Sequence, residues 1–99
     1  VSYYEDDNEG FQPDWWKIFA VLENIFPNSK LGIGECGSTD ENADEKTKLS
    51  MIRHYYGMPK YTKNFIGGYF WWYWVQDCVP HENNVLWKEI NSRAEKRGF

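Results

Sequence analysis

Short apolar runs alternate with longer segments of helical spacing along this chain. Residues 1–4, 30–34 and 65–72 are rich in apolar, β-branched or aromatic side chains, and they predict three strands. After each of these runs, apolar residues recur every three or four positions, which predicts a helix. The predicted order of elements is therefore β-α-β-α-β-α.

Local signals predict where the helices begin and end. Asp14 is an N-cap candidate for the first helix, and Pro27 ends it. The second helix follows a polar loop and ends at Gly57, and the third begins at Asn84 and ends at Gly98. The residues expected on the inner faces are Trp15, Ile18, Phe19, Leu22, Ile25 and Phe26, then Leu49, Ile52, Tyr55 and Tyr56, then Val85, Leu86, Ile90 and Ala94.

The repeat of about thirty residues is typical of parallel strands joined by crossover helices. No internal domain boundary is visible. Three β/α units make about three-eighths of a (β/α)8 barrel of about 250 residues, and an open three-stranded piece leaves strand edges and one face uncovered. We therefore expect the C-terminal β-α-β-α-β-α portion of a TIM (β/α)8 barrel, incomplete without the remainder of the barrel; the alternative is an independent small α/β domain.

Composition narrows the classes of function. Aromatic residues are 19% of the chain and include six tryptophans, which favours a large core, a carbohydrate-facing groove, or both. The net charge of −4 argues against nucleic acid as a partner. No uninterrupted apolar stretch is long enough to span a bilayer, so no membrane partner is expected. The chain begins in mid-pattern at Val1, and we expect an interior cut or a processed start there.

The two cysteines leave three alternatives open. Cys36 and Cys78 each follow one of the last two predicted strands, so a disulfide between them is possible and would imply an exported protein. Two free buried thiols are the favoured alternative. Zinc held with His54 and His81 is the third, but no close pair of ligands supports it.

Acidic loops follow the first two predicted strands. Their members are Glu5, Asp6, Asp7 and Glu9, and then Asp40, Glu41, Asp44 and Glu45. Such carboxylates could hold calcium, but solvated loop and helix-start charges are the expected role. The sequence carries neither a dinucleotide-type glycine loop nor a serine nucleophile elbow. We therefore expect neither a metal nor a cofactor.

Glu35 is the candidate catalytic residue. It ends an apolar run and stands among Gly32, Gly34 and Gly37, whose lack of side chains lets a ligand or backbone approach closely. Barrel enzymes place catalytic groups at this end of their strands. The alternative is a structural acid that accepts from backbone N–H groups or pairs with an arginine. Retaining glycoside hydrolysis needs two carboxylates, and the chain offers no convincing strand-end partner for Glu35.

Aromatic residues surround this candidate in the predicted fold. Tyr3 or Tyr4 could donate a hydrogen bond to Glu35 and hold it charged, or be an ordinary strand residue. Strand alternation would put Trp72 and Trp74 on one face, where indole rings stack on a sugar, with the opposite face packing against helices.

Gln76 and Asp77 come directly after this aromatic run. Their side chains could hydrogen-bond sugar hydroxyls, and capping of the following loop is the equal alternative.

Residues 1–4, 33–37 and 68–74 together resemble strands six, seven and eight of the large clan of retaining (β/α)8-barrel glycoside hydrolases that includes cellulases, mannanases and β-1,4-galactanases. The resemblance implies that Glu35 is the nucleophile, Tyr3 or Tyr4 its hydrogen-bond partner, and Trp72 the floor of the subsite for the cleaved sugar. It also implies a polysaccharide or oligosaccharide substrate and a secreted or extracytoplasmic enzyme.

The chain departs from that clan in one large respect. The clan's acid/base glutamate lies on strand four, which is absent here, so the 99 residues alone are expected to be inactive. Two other functions remain as alternatives: a non-catalytic carbohydrate-binding domain, and a small α/β interaction domain whose aromatic residues form the core.

Overall fold

The computed structural model describes residues 1–40 and 42–97, which form a mixed α/β structure with parallel strands. Its elements, in chain order, are β1 (Ser2–Tyr3), a 3-10 helix (Glu5–Asn8), α1 (Trp15–Ile25), β2 (Leu31–Gly32), β3 (Glu35–Gly37), α2 (Glu45–Tyr56), β4 (Phe65–Gly67), β5 (Trp71–Trp72), α3 (Trp74–Cys78) and α4 (Val85–Arg97).

The strands form two small parallel sheets, one in the order β1-β3-β5 and the other pairing β2 with β4. In the larger sheet, β3 is central: Cys36 pairs with Tyr3 of β1 on one side and with Trp71 of β5 on the other. Neighbouring strands therefore follow the order of the chain. The crossover connections contain α1 and α2, as the sequence predicts.

Two of the predicted strands are each divided in two. The run at 65–72 is interrupted because Gly67 and Gly68 take positive φ angles of 81° and 69°, a conformation outside the strand region. The run that begins at residue 30 pairs first with β4, then shifts register at Leu31 and Gly32 before it continues as β3. Glu35 is therefore the first residue of a new strand rather than the residue after an uninterrupted one.

Side-chain caps begin the three long helices where the sequence predicts. In each case the residue before the helix accepts a hydrogen bond from a backbone N–H of the first turn: Asp14 from Lys17 at 3.3 Å, Asp44 from Thr47 at 2.8 Å, and Asn84 from Trp87 at 2.8 Å. Gly57 is the C-cap of α2. The predicted end of α4 at Gly98 lies outside the described residues.

Helices cover one face of the strands and leave the other open. A single cluster of buried side chains joins the strands to the helices; its members are Trp15, Phe19, Ile33, Cys36, Met51, Ile52, Tyr55, Tyr56, Met58, Phe65, Trp71, Cys78, Leu86 and Ile90. On the opposite side, Ile66 of β4 and Trp72 of β5 are 46% and 41% exposed. The shape is correspondingly thin, with extents of 41 × 31 × 17 Å, which fits one layer of helices on one layer of strands.

Several local predictions were wrong. Ile25 was predicted to face inward but is exposed, and it is the last residue of α1. Phe26 is exposed at the C-cap of α1. Val85 and Ala94 are exposed at the two sides of the buried stripe of α4.

Two short helices were not predicted. The acidic segment after β1 contains the 3-10 helix, and the aromatic run ends in α3 rather than continuing as a strand. Both are short, and neither has a side-chain cap or an apolar repeat from which it could be predicted.

The close approach of β3 to β5 yields a first prediction. A Cβ atom at Gly37 would lie 1.9 Å from the carbonyl oxygen of Trp72. Because the main chain sets the positions of both atoms, neither can move aside without a shift of the backbone. Gly37→Ala should therefore lower the free energy of unfolding by about 2–3 kcal/mol, as overpacking does. The measurement is urea unfolding followed by circular dichroism.

Gly34→Ala is the matched control for this variant. A Cβ there would meet Ser2 Oγ and Val1 O at 3.7 Å, an ordinary contact. The control should stay within about 0.5 kcal/mol of the parent chain. Equal unfolding midpoints for the two variants would contradict the close approach.

Candidate functional site

Tyr4 and Glu35 meet at the edge where β1 ends. The hydroxyl of Tyr4 donates a hydrogen bond to Glu35 Oε2 at 2.6 Å across the β1–β3 pair, and the contact is partly buried. This length is typical of a hydroxyl that donates to an ionised carboxylate. Burial raises the pKa of Tyr4 well above its ordinary value, and the hydrogen bond to the Glu35 carboxylate raises it further. Tyr4 therefore stays protonated and remains a donor to Glu35.

Tyr3 has a different partner. Its hydroxyl donates to the backbone carbonyl of Phe11, and its ring packs edge-on against Trp15 with centroids 5.3 Å apart. The sequence left Tyr3 and Tyr4 as alternatives for the contact with Glu35. In the structure Tyr4 makes that contact, whereas Tyr3 packs against the core and donates to the loop that follows β1.

Glu35 and Trp72 lie on the open face of the same sheet. Cys36 and Trp71 are paired in register, and both are completely buried on the helix side. Because strand residues alternate between faces, Glu35 and Trp72 point to the opposite side. The ring of Trp72 lies 4.7 Å from that of Tyr73 and 6.5 Å from that of Phe70, measured between centroids. We call these three exposed rings, Phe70, Trp72 and Tyr73, the aromatic patch.

The predicted alternation of Trp72 with Trp74 is wrong. The strand ends at Trp72, and Trp74 is the first residue of α3. Trp74 is half-buried, and its ring lies edge-on to His81 with centroids 6.3 Å apart. The structure therefore does not place Trp74 beside Trp72 on a shared strand face.

Gln76 and Asp77 also lie on α3, with different exposures. Gln76 is exposed, and its amide nitrogen lies 3.3 Å from Asp77 Oδ1. Asp77 is buried: Lys48 Nζ lies 2.7 Å from Oδ1, and Trp71 Nε1 donates to Oδ2 at 2.9 Å. The expectation that Asp77 hydrogen-bonds a sugar hydroxyl is therefore corrected, because protein donors already use both of its oxygens on the helix side of the strands.

A cluster of hydrogen bonds that sequence reasoning missed joins the two loops above the site. Asp6 Oδ2 accepts from the hydroxyl of Ser38 and from the backbone N–H groups of Thr39 and Asp40, the last two at 2.9 and 3.1 Å. Thr39 Oγ1 also donates to Asp7 Oδ1 at 2.8 Å. The loop after Tyr4 is thus tied to the loop after Glu35. The sequence did contain a signal for this connection: the hydroxyl residues Ser38 and Thr39 in one loop and a run of acidic residues in the other.

The same acidic loops were considered for calcium. Across residues 1–40 and 42–97, no group of three or more His, Cys, Asp or Glu side chains is arranged to hold a metal ion. Glu41, one of the acidic residues considered, lies outside the described residues. Asp6 and Asp7 are instead occupied by the loop hydrogen bonds described above.

Both cysteines are free and buried. Burial raises the pKa of the Cys36 thiol to about 12 and that of the Cys78 thiol to about 11. His81 Nδ1 lies 2.8 Å from the carbonyl oxygen of Cys78, and His54 is exposed on α2. Of the three alternatives from the sequence, the structure therefore shows the two free buried thiols.

A cleft of about 620 Å³ is lined by Glu5, Gln12, Lys46, Thr47, Ser50, Met51 and His54. Neither Glu35 nor Trp72 lines this cleft.

Comparison of the chain with protein-family models, with curated proteins and with solved structures gave no match. None of the helices in the described residues is both long and apolar enough to cross a membrane.

The loop hydrogen bonds yield a second prediction. Asp6→Ala removes the acceptor shared by Ser38, Thr39 and Asp40, so the free energy of unfolding should fall by about 1–3 kcal/mol. Amide hydrogen exchange measured by NMR should become faster at Thr39 and Asp40, which donate to Asp6. Glu9→Ala is the control, since Glu9 is exposed on the same loop. Unchanged exchange at both amides would contradict the loop connection.

The buried thiols yield a third prediction. In the unfolded chain a cysteine ionises near pH 8.5, whereas the raised pKa of Cys36 keeps it protonated in the folded state. Above about pH 8.5 the folded state therefore binds more protons, and the free energy of unfolding falls as pH rises, by up to about 1.4 kcal/mol per pH unit for each thiol.

The measurement is urea unfolding in reducing buffer between about pH 7.5 and 9, where unfolded tyrosines remain mostly protonated. The double variant Cys36→Ala and Cys78→Ala is the control and should show a flatter dependence on pH. Parallel curves for the two proteins would count against buried, protonated thiols.

Proposed function

We propose that this chain forms the last three β/α units of a (β/α)8-barrel domain that hydrolyses O-glycosidic bonds with retention of configuration, with Glu35 as the nucleophile. Two architectural features support the barrel. Within each sheet the strands are parallel and their order follows the chain, and in the described residues the core lies on the helix side, opposite the exposed Ile66 and Trp72. In a closed barrel the open face would be the interior, covered by the strands of the other units.

The hydrogen bond from Tyr4 to Glu35 is the observation that carries the proposed chemistry. A retaining nucleophile must be oriented toward the anomeric carbon, and the hydrogen bond from the Tyr4 phenol at 2.6 Å fixes the orientation of the Glu35 carboxylate. The three glycines around Glu35 keep bulky side chains away from it. Trp72, beside it on the open face, supplies an apolar surface for a sugar ring.

The proposed reaction has two steps. One Glu35 oxygen attacks the anomeric carbon as the glycosidic bond breaks, and a second carboxylic acid, supplied by another unit of the barrel, protonates the departing oxygen. The glycosyl ester on Glu35 is then hydrolysed by water, which the second carboxylate deprotonates. Tyr4 keeps its proton throughout and donates to the Glu35 oxygen that does not bond to sugar.

The substrate class that we propose is a polysaccharide or an oligosaccharide. The exposed aromatic patch extends beyond a single ring, since Phe70 and Tyr73 flank Trp72. Because polysaccharides are too large to enter a cell intact, we also propose that the enzyme acts outside the cytoplasm.

The test of this function uses the complete catalytic domain that contains the chain. Glu35→Ala should lower kcat on an activated aryl glycoside by at least about a thousandfold, because removal of a nucleophile is among the most severe catalytic losses. Added azide should restore turnover of Glu35→Ala and give a glycosyl azide of inverted configuration, since azide then fills the space of the missing carboxylate.

Glu95→Ala is the matched control, since Glu95 is an exposed acid on α4, which packs on the helix side of the strands, and it should keep the parent kcat. If Glu35→Ala keeps the parent kcat, Glu35 is not the nucleophile. A complete domain that binds saccharides but hydrolyses none would instead support the non-catalytic alternative.

A further inference from the structure

Asp77 and Lys48 form an ion pair in the interior. Their side chains are 5% and 12% exposed, and Lys48 Nζ lies 2.7 Å from Asp77 Oδ1. Among residues 1–40 and 42–96, Asp77 is the one charged residue that is buried. Burying a charge is costly, and an apolar pair of similar volume is often as stable. The position of this pair therefore needs an explanation besides stability.

The contacts of Asp77 join four elements. Asp77 Oδ1 accepts from Lys48 of α2 and from Gln76 of α3, and Oδ2 accepts from the indole N–H of Trp71 in β5 at 2.9 Å. The backbone carbonyl of Asp77 accepts from Asn84, the cap of α4, at 2.8 Å. Asp77 thus connects Trp71, the first residue of β5, to the three helices that follow Glu35 in the chain.

Trp71 connects this interior network to the open face. Its fully buried ring lies on the helix side, while the next residue, Trp72, presents its ring on the side of Glu35. The strand β5 is only two residues long, so its own ladder hydrogen bonds constrain it little. The indole–carboxylate bond of Trp71 is the additional constraint on the orientation of this strand.

We propose that Asp77, with Lys48 as its counter-ion, is a positioning residue that orients Trp72 toward the sugar subsite beside Glu35 by holding the buried indole of Trp71. That Trp72 faces a sugar subsite rests on the proposed function, whereas the effect of Asp77 on the orientation of Trp72 does not. The carboxylate that sequence reasoning assigned to the substrate thereby acts on the substrate through two tryptophans.

Two double variants separate the charge from the hydrogen bond. Lys48→Met with Asp77→Asn removes both charges but keeps an oxygen that accepts from Trp71 Nε1. Lys48→Met with Asp77→Leu also removes both charges, but leaves the indole N–H without its acceptor. Neither variant leaves an unpaired buried charge, which would confound the comparison.

The readout is 19F NMR of the full chain labelled with fluorotryptophan. The resonance of Trp72 is assigned with Trp72→Phe, and Trp16, exposed on α1, is the internal reference. We expect the Trp72 resonance to keep its position in the Asn variant and to shift or split in the Leu variant, while the Trp16 resonance stays in place in both. An unmoved Trp72 resonance in a folded Leu variant would overturn the proposal.

Trp71→Phe keeps the test decisive if the Leu variant fails to fold. It removes the indole donor and leaves the Lys48–Asp77 pair in place, so the same displacement of Trp72 is expected. An unmoved Trp72 resonance in Trp71→Phe would equally overturn the proposal.

Saccharide affinity of the complete domain separates this inference from the proposed function. The Leu variant should bind an oligosaccharide about tenfold more weakly than the Asn variant, a loss typical of one displaced aromatic contact. If Trp72 moves but no saccharide binds to the parent domain, the positioning role stands and the proposed function fails. If Trp72→Ala weakens binding but the Leu variant does not, the positioning role fails and the saccharide site stands.

Discussion

The pairing of the three-residue strand β3 on both sides is the constraint on which the candidate site depends. Its neighbour β1 ends just before Tyr4, and its neighbour β5 contains Trp72. The parallel register sets Trp72 opposite Gly37 on one side of β3 and places Tyr4 just past the end of β1 on the other side. The backbone approach of Gly37 to Trp72 is so close that only glycine fits without displacement, so the composition of β3 and the position of β5 are coupled. Glu35 acquires its neighbours from this pairing.

One-sided burial is the second constraint. Parallel strands are normally covered on both faces, because crossover helices or other strands pack against each. Here the helix side holds one continuous core, while Ile66, Phe70 and Trp72 are exposed opposite it. An apolar face of this kind favours burial against further structure. The proposed barrel would satisfy this requirement and would also supply the second carboxylate that Glu35 needs.

The sequence predicted the helices better than the strands, for physical reasons. A helix is specified locally, by a cap such as Asp44 or Asn84 and by apolar residues on one stripe. A strand two or three residues long is specified by its partners, and the register shift near Gly32 depends on β4, which lies over thirty residues away. Spacing alone could therefore place Glu35 near the end of an apolar run, but could not show that the run divides before it.

The same distinction between local signals and distant partners applies to the candidate site residues. Glu35 and Trp72 could be proposed from the sequence because a carboxylate at the end of an apolar run is unusual and because tryptophans cluster in the last predicted strand. The choice between Tyr3 and Tyr4 could not be made in this way, since it depends on the register of β1 against β3: Tyr3 pairs with the buried Cys36 and packs on the helix side, which leaves Tyr4 on the side of Glu35. Asp77 was misplaced for a similar reason: the expected loop is a helix, which turns the carboxylate toward Lys48 on α2.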